Sequence, residues 1–161
     1  MHDMTPPNDH KDKNIKHASG MSTPVTATIN ASPTPCEKGL PCVLVVEDNR
    51  LNSELVKVFL KGICGMDFAR TGEEAVEMAG SKRYDAIIMD INLGPGMNGI
   101  QATKIIRTIP GFTEIPIIAV TGYAMESEKE MILASGCNHF LSKPIEKNSF
   151  TTLVKSLLQK D

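Results

Sequence analysis

From about residue 40 onward the chain alternates between two apolar patterns. One is the short unbroken run: Val43-Leu44-Val45-Val46, Ala86-Ile87-Ile88-Met89 and Pro116-Ile117-Ile118-Ala119-Val120. Runs of this kind, rich in β-branched residues, read as strands buried on both faces of a parallel sheet. Met66 to Ala69 and His139-Phe140-Leu141 are weaker examples. Between the runs, apolar residues recur at helical spacing. Leu51, Leu55, Phe59 and Leu60 predict a first helix, ended by Gly62 and Gly65. Ala75, Val76 and Ala79 predict a second, opened by a Thr71/Glu74 capping box. Ile100, Ile105 and Ile106 predict a third, behind the glycine-rich loop Gly94-Pro95-Gly96-Met97-Asn98-Gly99. A fourth, from about Glu126 to Ser135, closes on Gly136, which suits the left-handed position after a helix. Phe150, Leu153, Val154 and Leu157 mark the last.

Strand then helix, repeated to the end of the chain, predicts an α/β domain with an open parallel sheet covered by helices on both faces. The ligand crevice of such a sheet lies beyond the carboxyl ends of its strands, where the strand order reverses. The residues that follow the runs are therefore informative. Glu47 and Asp48 follow the first, Asp90 ends the third, Thr121 ends the fourth and Lys143 follows the fifth. Each alone has an ordinary explanation. Glu47-Asp48 suits a helix N-terminus, Asp90 an N-cap or turn, Thr121 a strand-end turn, and Lys143 a solvated surface. Three carboxylates, a hydroxyl and an ammonium on one edge are harder to explain that way.

Such carboxylates repel one another unless a cation joins them, and a hard divalent ion with oxygen ligands, Mg²⁺ above all, meets that need. An aspartate can act as a nucleophile toward phosphorus, forming an aspartyl-phosphate. Phosphoryl transfer passes through a loose transition state, so catalysis is mainly positioning and charge stabilisation. Mg²⁺ and Lys143 would neutralise phosphoryl oxygens, and the Thr121 hydroxyl would donate to another.

Residues 1–39 have a different character. They are rich in Pro, Thr, Ser, Asn, Lys and Asp, contain no aromatic residue, and carry one apolar cluster, Met21 to Ile29, interrupted by Thr and Pro. Such a segment buries too little surface to offset its ordering entropy. The expectation is a disordered N-terminal tail or linker over 1–39 and a single domain over 40–161. The length of 161 residues suits one domain. A net charge of -2 suggests neither a nucleic-acid nor a polybasic membrane surface. No run approaches the roughly 20 apolar residues of a membrane helix, and no secretory h-region develops, so a cytoplasmic protein is expected. Cys36, Cys42, Cys64 and Cys137 contain no CxxC pair and read as free thiols. His2, His10, His17 and His139 form no metal-ligand cluster with them.

At the strand-end residues the chain resembles the receiver domains of response regulators, over about Pro41 to Leu158. The carrying segments are Val-Leu-Val-Val-Glu-Asp-Asn (Val43 to Asn49), Tyr-Asp-Ala-Ile-Ile-Met-Asp-Ile-Asn (Tyr84 to Asn92), Ile-Ile-Ala-Val-Thr-Gly (Ile117 to Gly122) and Phe-Leu-Ser-Lys-Pro-Ile (Phe140 to Ile145). The resemblance implies a flavodoxin-like (βα)5 fold, doubly wound around a five-stranded parallel sheet of order 2-1-3-4-5. It also implies that Asp90 is the phosphoacceptor, Asp48 a direct Mg²⁺ ligand, Glu47 a ligand through water, and Asn92 a ligand through its backbone carbonyl. Thr121 matches the switch hydroxyl, Lys143 the phosphate-binding lysine and Phe140 the aromatic switch. Lys143-Pro144 matches a peptide bond often found cis, a geometry nearly confined to X-Pro. Three departures stand out. The loop Asn92-Leu93-Gly94-Pro95-Gly96-Met97 is one residue longer than the usual Met-Pro segment, Asn98-Gly99 replaces the usual Asp-Gly, and Phe140 lacks the hydroxyl of the commoner tyrosine. The style of this loop and of Ser142 to Ile145 is similar to receivers attached to hybrid sensor kinases.

The implied function is a phosphorylation-controlled binding module, not an enzyme acting on other substrates. His139, the one histidine of the domain, lies inside a predicted strand, so a separate histidine kinase or phosphotransfer protein must be the donor. The implied output surface is the fourth helix, fifth strand and fifth helix, on a monomer or a phosphorylation-dependent dimer. No DNA-binding domain is expected to follow. A Mg²⁺-dependent aspartyl-phosphate phosphohydrolase is the alternative. Such enzymes place a second Asp two residues after the nucleophile, where this chain has Asn92. A flavin- or nucleotide-binding module would need a Gly- or Ser/Thr-rich loop after the first strand, where this chain has Glu47-Asp48.

Overall fold

The computed structural model describes Cys36, residues 39–122 and residues 125–159. Each apolar run forms a strand and each periodic segment a helix. The strands are β1 (Cys42–Val46), β2 (Gly65–Ala69), β3 (Ala86–Asp90), β4 (Ile117–Thr121) and β5 (His139–Ser142). The helices are α1 (Arg50–Leu60), α2 (Gly72–Ser81), α3 (Gly99–Arg107), α4 (Glu126–Ala134) and α5 (Lys147–Leu158). All strand pairs are parallel, in the order β2-β1-β3-β4-β5, the flavodoxin-like order the resemblance implied.

The unbroken apolar runs follow from burial on both faces. Alternate residues of a strand point to opposite sides. Leu44, Val46, Ile87, Met89, Ile117 and Ala119 join Ala75, Ala79, Ala102, Ile106 and Ile132, so α2, α3 and α4 cover that face. Val43, Val45, Ile88, Ile118 and Val120 join Val56, Leu60, Phe150 and Val154, so α1 and α5 cover the other. The Phe59 and Phe150 rings tie α1 to α5 with centroids 6.4 Å apart.

The apolar set that predicted the first helix is buried only in part. Within that set Leu51 and Leu55 are 79% and 39% exposed, whereas Leu60 is buried as expected, paired on its face with the buried Val56, and Phe59 packs beside it. Both pairs have i, i+4 spacing and lie on neighbouring stripes about 100° apart. Periodicity alone does not say which stripe meets the sheet. The capping box at α2 is also only half present. Thr71 Oγ1 accepts the Glu74 N–H at 3.0 Å, but the Glu74 carboxylate takes the N–H of Arg70, at 2.7 Å, and not that of Thr71. A complete capping box opens α3, between Asn98 and Gln101.

The expectation of four free thiols is corrected as well. Cys36 and Cys42 form a disulfide across a separation of six residues, while Cys64 and Cys137 are free and buried. Cys36 was placed in the tail, yet it packs against the α2–α3 face of the core. The rest of the proposed tail before Gly39 lies outside the described residues. No described helix is long and apolar enough to cross a membrane.

Candidate functional site

In this strand order the chain reverses direction across the sheet between β1 and β3. Both strands end at the same edge, and their terminal carboxylates meet there. Oxygens of Glu47, Asp48 and Asp90 all lie within 4.8 Å of one another. Glu47 and Asp90 are buried, and Asp48 is half-buried on the open side. From the far edge, Lys143 reaches in just beyond β5. Its Nζ stands 3.1 Å from both Glu47 Oε2 and Asp90 Oδ2. The backbone holds it there: the Lys143 N–H donates to the Thr121 carbonyl at 2.8 Å, and the following peptide bond to Pro144 is cis, as the resemblance implied.

The second oxygen of each buried carboxylate takes a backbone amide. Glu47 Oε1 accepts the Asn49 N–H and Asp90 Oδ1 the Asn92 N–H, each at 3.0 Å. Asp48 Oδ2 accepts the Gly94 N–H at 3.1 Å. Burial raises the Glu47 carboxyl above its ordinary range. The amide of Asn49 and the ammonium of Lys143 oppose that rise, and the charge of Asp90 adds to it. Burial alone would lower the Lys143 ammonium, but Glu47 and Asp90 outweigh it and hold Lys143 above its ordinary value. Among the described residues the Lys143 ammonium thus pairs with Glu47 and Asp90, two of the three clustered carboxylates. Their donor set is all oxygen and crowded, which fits a small hard cation; Mg²⁺–oxygen distances are about 2.0–2.1 Å.

The remaining predicted residues are nearby. Asn92 is exposed at the head of the loop after β3. Thr121 is buried at the end of β4 and lines a cleft of about 470 Å³ shared with Ile91, Asn92, Glu128 and Met131. Phe140 is half-buried in β5, with Lys129 Nζ of α4 5.2 Å from its ring centroid. The ring contacts α4 and is not part of the acid cluster.

Sequence reasoning missed the residues that support this arrangement. A Cβ on Gly99 would lie 2.3 Å from the Asp90 carbonyl oxygen and 2.8 Å from Ile91 Cα, so only glycine lets α3 start against the backbone of Asp90. Asn49 caps α1 by accepting from Leu51 and Asn52, while its own amide holds Glu47. Its place just before the apolar periodicity was the available signal. Glu73, in the first turn of α2, accepts the Met97 N–H at 2.8 Å and so ties the lengthened loop to its neighbour. That bond holds the exposed Glu73 carboxyl below its ordinary 4.5. The anchor is therefore complete above about pH 4.5 and is lost as pH falls through the lower folded value. Glu73→Ala should speed hydrogen exchange at the Met97 amide at neutral pH. Unchanged exchange would mean the loop is held elsewhere.

Residues 43–155 match the response regulator receiver domain. The chain belongs to the response regulator receiver family. The receiver is 39% identical over 118 residues to the polar-differentiation response regulator DivK of Brucella anthropi, covering 72% of this chain and 94% of that one. The DivK of Brucella ovis is 38% identical over the same coverage. Among solved structures it is similar to the receiver domain of a Pseudomonas aeruginosa PAO1 sensor histidine kinase, which holds a magnesium ion in its active-site cleft. That match has a TM-score of 0.67 and 32% identity, over 73% of this chain and 97% of the other. Chemotaxis protein CheY4 of Vibrio cholerae superposes with a TM-score of 0.69 at 27% identity, over 74% and 99%. The relatives named as response regulators and the neighbour named as a receiver domain favour the receiver reading over the phosphohydrolase alternative.

Proposed function

We propose that Asp90 of this receiver accepts a phosphoryl group from a phosphohistidine on a separate histidine kinase or phosphotransfer protein, in the cytoplasm, and that the chain catalyses only its own phosphorylation and dephosphorylation. The observation that carries this reading is the Lys143 ammonium shared between Glu47 and Asp90 beside the half-open Asp48. The Asp90 carboxylate attacks phosphorus, the P–N bond to the donor imidazole breaks, and the imidazole leaves. The Asn92 amide and Lys143 orient Asp90 for this attack. Lys143 then moves its charge onto a phosphoryl oxygen, and Thr121 donates its hydroxyl to another. Mg²⁺, held by Asp48, Asp90, the Asn92 carbonyl and Glu47 through water, would neutralise the remaining oxygens when bound. Thr121 and Phe140 would pass the change to α4, β5 and α5 by shifting a two-state equilibrium. Met131 and Leu133 on α4, and Met125 just before it, are exposed and available to an output partner.

The donor would dock on α1. Leu51, Leu55 and Val58 form an exposed apolar stripe there, on a helix that begins immediately after the acid cluster. Leu55→Glu should slow transfer from a phosphorylated phosphotransfer protein by about tenfold, roughly a 1.4 kcal/mol loss, while leaving the rate with acetyl phosphate unchanged. Equal slowing with both donors would mean the substitution damages the site and the stripe is not a docking face. If a phosphohistidine donor leaves no label on the wild-type receiver while acetyl phosphate does, the histidine-donor part of the proposal is wrong.

A further inference from the structure

We propose that Cys36 and Cys42 form a reversible dithiol–disulfide site, separate from the phosphoacceptor, in which Cys36 is the reacting sulfur and Cys42 the resolving one. The two Cα atoms are 5.3 Å apart, inside the range of about 4.4–6.8 Å that a disulfide spans without backbone movement. The two sulfurs differ in access. Cys36 is half-buried and reachable from outside, whereas Cys42 is buried at the start of β1, with its N–H donating to Asp85 Oδ2 at 2.8 Å.

They also differ in their charged neighbours. Lys82 Nζ lies 3.4 Å from Cys36 Sγ, and it is held there by Asp67 Oδ2 at 2.7 Å. The same carboxylate oxygen accepts the Tyr84 hydroxyl at 2.8 Å. An ammonium fixed beside a sulfur stabilises the thiolate, which is the reactive form. Asp67 is buried, its Oδ1 has no hydrogen-bond partner among the described residues, and the carboxylate lies within 4.8 Å of both sulfurs. A second thiolate would face that carboxylate with only Lys82, among the described residues, to serve both, so the neutral disulfide is the form that relieves the repulsion. The other two cysteines lack this arrangement. Burial pushes the Cys64 thiol up to about 11, and burial also raises Cys137.

The proposed oxidant is a hydroperoxide. The Cys36 thiolate attacks the peroxide, the O–O bond breaks, and a sulfenic acid forms as hydroxide leaves. The Cys42 sulfur then attacks the Cys36 sulfur and water leaves. Two thiols and one hydrogen peroxide give one disulfide and two waters. A dithiol reductant reverses the change by thiol–disulfide exchange. Cys42 pairs with Gly65 at the amino ends of the strands, whereas Asp48 and Asp90 lie at the carboxyl ends. Oxidation should therefore leave phosphorylation unaffected.

The test uses the full chain, reduced, desalted and treated with one equivalent of hydrogen peroxide, then alkylated and read by intact mass and peptide mapping. The expected product is two hydrogens lighter, has a Cys36–Cys42 cross-linked peptide, returns to the dithiol with dithiothreitol, and takes phosphate from acetyl phosphate at the rate of the reduced chain. Lys82→Gln should slow the oxidation about three- to tenfold, with a thermal midpoint confirming that the variant is folded. In Cys42→Ser, dimedone should trap a sulfenic acid on Cys36. Full alkylation of both thiols after peroxide, oxidation of Lys82→Gln at the wild-type rate, dimedone labelling of Cys42 in Cys36→Ser as fast as of Cys36 in Cys42→Ser, or a zinc ion retained by the reduced thiols would each overturn the proposal.

Discussion

Asp90→Asn should fold as the parent chain does and take up no phosphoryl group from any donor. The amide has the shape of the carboxylate, and its oxygen can still accept the Asn92 N–H. What is lost is the nucleophile and one negative charge. Lys143 keeps Glu47 as a partner at 3.1 Å, so no buried charge is stranded, the usual cause of a large loss at a broken buried pair. The stability change should stay within about 1 kcal/mol, while labelling falls to background. The two readouts together locate the chemistry. A folded variant that still gains mass would move the acceptor to Glu47, Asp48 or elsewhere. A variant that loses label and structure together would leave the site unassigned.

The second large effect is expected where no functional group is present. In Gly99→Ala the new methyl would meet the Asp90 carbonyl oxygen, Asp90 carbonyl carbon and Ile91 Cα at 2.3, 3.0 and 2.8 Å. All three are backbone atoms, so no side chain can swing aside. Either α3 backs away from the sheet or the end of β3 shifts, and overpacking of this kind costs about 1–3 kcal/mol. A shift of the Asp90 backbone also moves the carboxylate that Lys143 and the Asn92 amide hold. A misplacement near 1 Å costs on the order of a hundredfold in rate. Gly99→Ala should therefore lower both the thermal midpoint and the phosphorylation rate with acetyl phosphate. Gly80→Ala is the control. It lies in the last turn of α2, where an added Cβ meets nothing within 4 Å, and it should be neutral or stabilising by up to about 1 kcal/mol. A Gly99→Ala variant as stable and active as the control would mean the close approach is relieved without moving Asp90.

These two substitutions mark what could be read from the chain and what could not. The strands were legible because burial on both faces leaves runs such as Ala86 to Met89 without a polar residue. Glu47, Asp48, Asp90, Thr121 and Lys143 were legible because a parallel sheet collects its strand ends at one edge, so the order of elements placed them together before any coordinates. Gly99 and Glu73 were not. A glycine in a turn and a glutamate in a first helical turn have sufficient local explanations, and their roles come from the approach of α3 to Asp90 and of α2 to the loop. The face of α1 was legible only in part, through Phe59 and Leu60, because Leu51/Leu55 and Val56/Leu60 are equally periodic. Only the packing of the helix against Phe150 and the sheet selects between them. The Cys36–Cys42 pair was not legible because a separation of six residues matches neither a periodic pattern nor a CxxC spacing.

The most direct test of the receiver assignment is to incubate the full chain with acetyl phosphate, with and without Mg²⁺, and measure intact mass. The expected result is a gain of one phosphoryl group only when Mg²⁺ is present, removed by hydroxylamine as an acyl phosphate and mapped to Asp90. A gain that is independent of Mg²⁺, resists hydroxylamine or maps to another residue would contradict the assignment.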